Sequence, residues 1–169
     1  GTEVFTNVWY RRPRGVLVDG PFTEAQLLHT SREWGAAVDG YLAHIPMRRW
    51  MNHPASNAHA SNKLLQLSAA QRFGLRVPET LIPSSSAEGV SFWNEHGGHV
   101  VVKPLSSGTI EALDGSLEGQ VYTNRVGRED LEDSVLLRAC PTLLQRQVVD
   151  AIDVRVTVVD QQMTAVALR

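Results

Sequence analysis

Apolar residues recur at helical spacing over two stretches of the chain and cluster into short runs over several others. From about Glu24 to Val38, Leu27, Leu28, Trp34 and Val38 mark the core-side face of a first helix. Thr23 and Gln26 fit a capping box at its start, and His44-Ile45-Pro46 interrupts it. A second helix is predicted from about Ala58 to Phe73, with Leu64, Leu67, Ala70 and Phe73 along one face. Gly74 suits its C-terminal turn and Pro78 bars its continuation. Val77–Ile82, Val100–Lys103, Leu143–Val149, Asp153–Val159 and Met163–Leu168 read as strands. Pro83–Ser86 can cap a helix over Ala87–Glu95. A hairpin or mobile loop is expected over Ile110–Thr123, around Asp114-Gly115, and a short acidic helix over Arg128–Ser134. Strands and helices mixed in this way predict an α/β fold built of α+β lobes.

One strand carries a chemical signal. Val100-Val101-Val102 reads as buried, yet it runs straight into Lys103-Pro104 and then Leu105-Ser106-Ser107-Gly108. Desolvating an unpaired ammonium is costly, so Lys103 must reach water or meet an anion. The small residues behind it would let backbone N–H groups approach that anion closely. Strand, lysine and pliant loop together point to a phosphate site.

Composition sets the outer bounds. The 169 residues suffice for one ordinary domain or two small lobes, and 43% hydrophobic content can build a core. A net charge of −2 argues against a general nucleic-acid grip. Cys140 is the single cysteine, so no intrachain disulfide can form and a reducing, cytoplasmic setting is the simplest reading. Placed before Pro141, Cys140 reads as a small buried residue rather than a nucleophile. The apolar runs are too short for a membrane span. No zinc spacing appears around His53 and His59 or His96 and His99, and no Walker loop, nucleophile elbow or dinucleotide fingerprint is present. Both ends fall inside strand-like runs, and Gly1-Thr2 reads as a cut end, so we expect a piece of a longer protein.

Five segments in order carry a resemblance. They are Val8-Trp9-Tyr10-Arg11-Arg12-Pro13, Trp50-x-Asn52-His53-Pro54, Lys103-Pro104-Leu105-Ser106, Val121-Tyr122-Thr123-Asn124 and Asp153-Val154-Arg155-Val156-Thr157-Val158-Val159. Together they resemble the ATP-grasp superfamily, and within it the peptide-maturing ligases that make graspetides, the microviridin-type peptides closed by side-chain ester or amide links. The resemblance covers nearly the whole chain. It implies the end of a pre-ATP-grasp domain over residues 1–57 and a connecting helix over 58–74. A small, mainly antiparallel lobe with helices would follow over 75–145, and the start of the C-terminal lobe over 146–169.

The resemblance also implies site roles. Lys63 and Lys103 match the two lysines that meet the phosphates of ATP, where ammonium groups offset charge and orient the γ-phosphoryl. Ser106 and Ser107, with Gly108, match the loop that covers the phosphates and excludes water. Along the strand linking the lobes, the Arg146 carbonyl and the Val148 N–H match the adenine partners, with the Gln145 side chain beside them. Asp153 matches the residue that accepts from a ribose hydroxyl. Arg155 and Arg169 are the candidate catalytic side chains, since guanidinium forks suit carboxylate and phosphate. Each has a plain alternative: a solvated helix face for Lys63, a strand-end lysine reaching water for Lys103, an ordinary strand glutamine for Gln145, a solvated carboxylate for Asp153, and structural salt bridges for the two arginines.

The implied reaction uses ATP and Mg²⁺ to phosphorylate an Asp or Glu side chain of a precursor peptide; a Thr or Ser hydroxyl or a Lys amine then displaces the phosphate and closes a ring. The leader of that peptide would dock near residues 111–134, where Glu129, Asp130, Glu132 and Asp133 could pair with basic residues. No nucleic acid or membrane partner is expected, and a homodimer is compatible with this picture. Two alternatives stand beside it: an ATP-grasp ligase joining an amino acid or small amine to a carboxylate, and a module that binds peptide or nucleotide without catalysis. The family's first strand-helix unit and its magnesium ligands, an acidic residue and a Glu-x-Asn strand, have no counterpart between Gly1 and Arg169. The metal ligands are therefore expected beyond Arg169, and the fragment alone is expected to be inactive.

Overall fold

The computed structural model describes residues 5–11, 16, 18–106, 108–112 and 117–168. In chain order its first elements are β1 (Val8–Trp9), α1 (Glu24–Ala43), β2 (Trp50–Met51), α2 (Pro54–Ser61), α3 (Lys63–Arg72), β3 (Thr80–Leu81), α4 (Ser86–Glu95) and β4 (Val100–Lys103). Then come β5 (Thr109–Glu111), β6 (Leu117–Gln120), β7 (Asn124–Arg125), α5 (Arg128–Glu132), α6 (Ser134–Ala139), β8 (Leu143–Arg146), β9 (Asp153–Val159) and β10 (Gln162–Leu168). They divide between two compact units, residues 1–77 with 103–123, and residues 78–102 with 124–169.

In the first unit, β1 and β2 pair in parallel, Val8 with Trp50 and Trp9 with Met51. Trp50 anchors the segment after α1. Its indole N–H donates to the Ile45 carbonyl at 3.1 Å, and its ring packs edge-on against Tyr10 and His53. The capping box at Thr23 and Gln26 forms as expected. α1 runs past Val38 to Ala43, because Gly40 lowers helix propensity without ending the hydrogen-bond ladder. Its expected core face is largely uncovered: Leu27 is half-buried, but Leu28 and Val38 are exposed and Trp34 is 51% exposed.

The expected helix over 58–73 is two helices. Asn62 stands between them with extended backbone (φ −70°, ψ 115°), and its side-chain oxygen accepts from the N–H groups of Leu64 and Leu65 at 3.0 and 3.2 Å. An asparagine that satisfies two orphan donors starts a new helix where periodicity alone shows a continuous one. On α3, Leu67 and Ala70 are half-buried, whereas Leu64 is exposed and Phe73 is 81% exposed. The hairpin strands β5 and β6 pair antiparallel with a register shift between Ile110 and Glu111, and the Asp114-Gly115 turn lies outside the described residues.

In the second unit, four strands form a sheet in the order β3-β8-β4-β7, with β3 antiparallel to β8 and β7 antiparallel to β4. Phe92, Val100, Leu131 and Leu144 are the buried centre, flanked by Leu81, Val90, Trp93, Val102, Val126 and Leu137. Each such side chain taken from water contributes roughly 1.5–3 kcal/mol. The Trp93 indole N–H donates to the Val126 carbonyl at 3.1 Å, tying α4 to the segment after β7. The Glu88 carboxylate accepts from the Ser84 N–H and hydroxyl at 2.7 and 2.9 Å, which holds its carboxyl below the usual range. β9 and β10, seven residues each, form an antiparallel hairpin whose strand residues are all exposed. Its register puts Val154, Val156, Val158, Met163, Ala165 and Ala167 on one face, and Asp153, Arg155, Thr157, Val159, Gln162, Thr164, Val166 and Leu168 on the other. Cys140 is exposed, against the expectation of burial, because it falls in the Cys140-Pro141-Thr142 connection after α6 rather than on a core face. Among the described residues no helix is long and apolar enough to cross a membrane.

Candidate functional site

The break at Asn62 makes Lys63 the first residue of α3. A cation there faces the positive end of the helix dipole, a local mismatch of roughly 0.3–1 kcal/mol. The structure shows what offsets it. The Lys63 ammonium donates to the backbone carbonyl of Ser106 at 2.8 Å, a contact 43 residues apart in sequence. An ammonium has three donors, so this bond aims the group without exhausting it. Ser106 follows Lys103, the half-buried last residue of β4, by three positions. Lys63, Lys103 and Ser106 all belong to the first unit. Ser107 lies outside the described residues. Gly108 closes the loop: its backbone is left-handed (φ 76°), and its carbonyl accepts from the Val121 N–H at 2.7 Å.

Gln145, Arg146, Val148, Asp153 and Arg155 belong to the second unit. Gln145 is only 5% exposed, and its amide nitrogen donates to the Thr80 hydroxyl at 2.9 Å, which in turn donates to the Pro78 carbonyl. Its side chain therefore ties β8 to β3. The Arg146 N–H donates to the Glu79 carbonyl, and its guanidinium binds the Glu79 carboxylate, holding that carboxyl below its usual range. The next N–H, of Gln147, donates to the His99 carbonyl at 2.8 Å. The Val148 N–H makes no hydrogen bond among the described residues, so it is open to an acceptor. The Gln147 amide oxygen is buried and without a partner among the described residues, a feature the sequence did not single out.

Asp153 and Arg155 share the mixed face of the β9–β10 hairpin, opposite Leu168 and Val166 in register, and both are exposed. Arg169 lies outside the described residues. Three of the four acidic side chains near α5 have local partners. Asp130 accepts from the Gly127 N–H, Glu132 pairs with Arg128, and Asp133 accepts from the Val135 N–H. His53 caps α2 by accepting from the Ala55 N–H, and His96 packs edge-on against Phe92. Among the described residues no three His, Cys, Asp or Glu side chains come together to hold a metal.

The pairing of sequence least visible at the outset is Lys63 with Ser106. A side chain meeting a backbone carbonyl leaves no residue-type signature, and the Asn62 cap that makes Lys63 the first residue of α3 was not singled out either.

The chain has the fold of RiPP-associated ATP-grasp ligases. In particular, it is similar to the macrocyclase MdnC of Microcystis aeruginosa MRC, solved with its precursor peptide MdnA (28% identity, TM-score 0.82), covering 96% of this chain and 53% of that one. It is likewise similar to the macrocyclase MdnB of the same organism (31% identity, TM-score 0.76), covering 96% of this chain and 52% of MdnB. A RiPP-associated ATP-grasp ligase of Chryseobacterium gregarium, solved with ADP and a leader and core peptide, shares the fold at 24% identity and TM-score 0.74, covering 96% of this chain and 48% of that one. The chain thus spans about half the length of each of these proteins. No protein-family model and no curated protein matches it.

Proposed function

We propose that this chain is part of a cytoplasmic ATP-dependent ligase that closes side-chain ester or amide rings in a ribosomally made precursor peptide. The observation that carries the reading is the likeness to MdnC and MdnB, two macrocyclases, over nearly all of this chain. The local chemistry is consistent with it. ATP supplies the γ-phosphoryl group that turns a precursor Asp or Glu carboxylate into an acyl phosphate. Lys63 and Lys103 bind the phosphates and offset their charge, and the Ser106 carbonyl keeps Lys63 aimed. The open Val148 N–H fits an adenine ring nitrogen, the neighbouring Arg146 carbonyl fits the exocyclic amine, and Asp153 accepts from a ribose hydroxyl. Gln145 steadies this linker through Thr80, a positioning role rather than a contact with the base. Arg155 lies on the same hairpin face as Asp153, where its fork can hold a carboxylate or phosphate oxygen.

Among the described residues no magnesium ligand set comes together. The chain's contribution is positioning and charge neutralisation, with no covalent enzyme intermediate. The leader of the precursor docks near residues 111–134.

The test is mass spectrometry of a verified cognate precursor peptide incubated with the full-length protein and ATP. A mass lower by one water per ring is expected. Transfer of a free amino acid onto a carboxylate with the peptide unchanged would instead establish the carboxylate–amine ligase alternative.

A further inference from the structure

The first unit holds a cleft that the nucleotide residues do not use. β1 supplies one wall with Val8 and Trp9, and the segment that follows α1 supplies the other with Ile45 and Pro46. His44 and Arg49 line the same cleft. Its volume of about 520 Å³ falls among those of small-ligand sites, roughly 300–1,000 Å³. The two walls are fastened to one another. Val8 pairs with Trp50 and Trp9 with Met51, the Tyr10 N–H donates to the Met51 carbonyl at 3.1 Å, and the Trp50 indole N–H donates to the Ile45 carbonyl at 3.1 Å. Trp9 is still 64% exposed, so a large aromatic surface is held open in a fixed place.

Charge gives the cleft a sign. The described segments that build it, residues 5–11 and 44–51, carry Arg11, Arg48 and Arg49 and no Asp or Glu, in a chain whose net charge is −2. The Arg11 guanidinium lies 5.3 Å from the centre of the Trp9 ring. Arg49 and His44 enter no ion pair and no side-chain hydrogen bond among the described residues. A guanidinium fork and an imidazole N–H beside an aromatic ring suit a carboxylate attached to an apolar body.

We propose that this cleft receives the core of the precursor peptide: an Asp or Glu side chain of the core meets Arg49 and His44, and an adjacent apolar side chain lies against Trp9 and Ile45. The assignment rests on the ligase reading above, in which the precursor brings carboxylates and its leader docks on other residues, 111–134. The contact is one of recognition, with no bond made or broken in the cleft.

The test measures binding of a verified cognate precursor, and of its leader alone, to the full-length protein by fluorescence anisotropy without ATP. A third probe is the precursor with every core Asp and Glu changed to Asn and Gln. The variants are Arg49→Gln and Arg32→Gln, the second removing the same charge from an exposed position of α1. Loss of one charge-assisted contact predicts that Arg49→Gln weakens the precursor by about five- to tenfold and leaves the leader within about twofold. The neutral-core precursor binds the unaltered protein at least that much more weakly, and Arg49→Gln weakens it no further. Arg32→Gln leaves all three probes within about twofold. Wild-type precursor affinity in Arg49→Gln, equal weakening of precursor and leader, or equal effects of the two arginine variants overturns the assignment. Binding of free phenylalanine that depends on Arg49, with precursor affinity indifferent to Arg49→Gln, also overturns it and gives the cleft to a free amino acid. The ligase reading fails separately: a precursor bound with these contrasts but unchanged in mass after incubation with ATP overturns ring closure and leaves the cleft assignment standing.

Discussion

Lys63 and Ser106 are joined by a 2.8 Å hydrogen bond from the lysine ammonium to the serine backbone carbonyl, 43 residues along the chain. It holds a cation at the first position of α3, where the helix dipole disfavours one. Replacing Lys63 by Met should therefore cost little in stability, because the dipole mismatch disappears along with the bond. Nucleotide binding should respond differently. Loss of one charge-assisted phosphate contact, roughly 1.5–3 kcal/mol, predicts AMPPNP binding weaker by about ten- to a hundredfold, read by calorimetry beside an unchanged melting temperature. A melting temperature that falls in step with affinity would assign Lys63 to the fold instead.

The second unit is held by a small centre, so it should be sensitive to truncation there. Leu131 is 1% exposed and packs with Phe92, Val100 and Leu144. Leu131→Ala is expected to destabilise by about 2–5 kcal/mol through lost burial and a residual cavity. Phe73 is 81% exposed, and Phe73→Ala should stay within about 0.5 kcal/mol. Denaturant unfolding of both variants checks the contrast.

Two carboxyls are held below their usual range, Glu79 by its bond to Arg146 and Glu88 by bonds from Ser84. A depressed folded pKa contributes stability above the unfolded value and loses it as pH falls through the folded value. Thermal stability should accordingly decline on acidification below the ordinary carboxylate range. Both groups are at the surface, so the decline should be shallow and reduced by salt. Glu79→Gln should flatten part of it, measured as melting temperature against pH; a wild-type-like slope in that variant would remove Glu79 from the explanation.

On the β9–β10 hairpin, Val154, Val156, Val158 and Met163 form an apolar face, each more than half exposed. Such a face should bind a hydrophobic dye in the isolated chain. Val156→Lys, at the centre of that face, should reduce dye fluorescence, whereas Thr157→Lys on the opposite face should not. Equal effects from the two substitutions would mean the register is wrong.

What could be read from residues alone follows the physics of each signal. The bounds of β4 were legible because a valine run ending in a lysine has few other uses, and α4 was legible from its serine cap. The α2–α3 break was not, since Leu64, Leu67 and Ala70, whose helical spacing marked the helix, all lie beyond the boundary set by the Asn62 side chain. Periodicity named Leu28, Trp34 and Val38 as one face of α1 but says nothing of whether that face is covered. Lys103 stood out from the valine run that it ends, and Lys63 only through resemblance to a family pattern. The Ser106 carbonyl and the Gly108–Val121 approach were invisible, because backbone geometry made by residues far apart has no local code.

Activation of the precursor carboxylate by ATP leaves a trace in where its oxygens go. A precursor peptide with both oxygens of its reacting Asp or Glu side chain replaced by heavy oxygen is incubated with the full-length protein and ATP. Attack of that carboxylate on the γ-phosphorus, followed by displacement, leaves one heavy oxygen in the released phosphate for each ring formed and one in the new ester or amide. Ring closure with unlabelled phosphate, or ATP consumption with no ring, would contradict it.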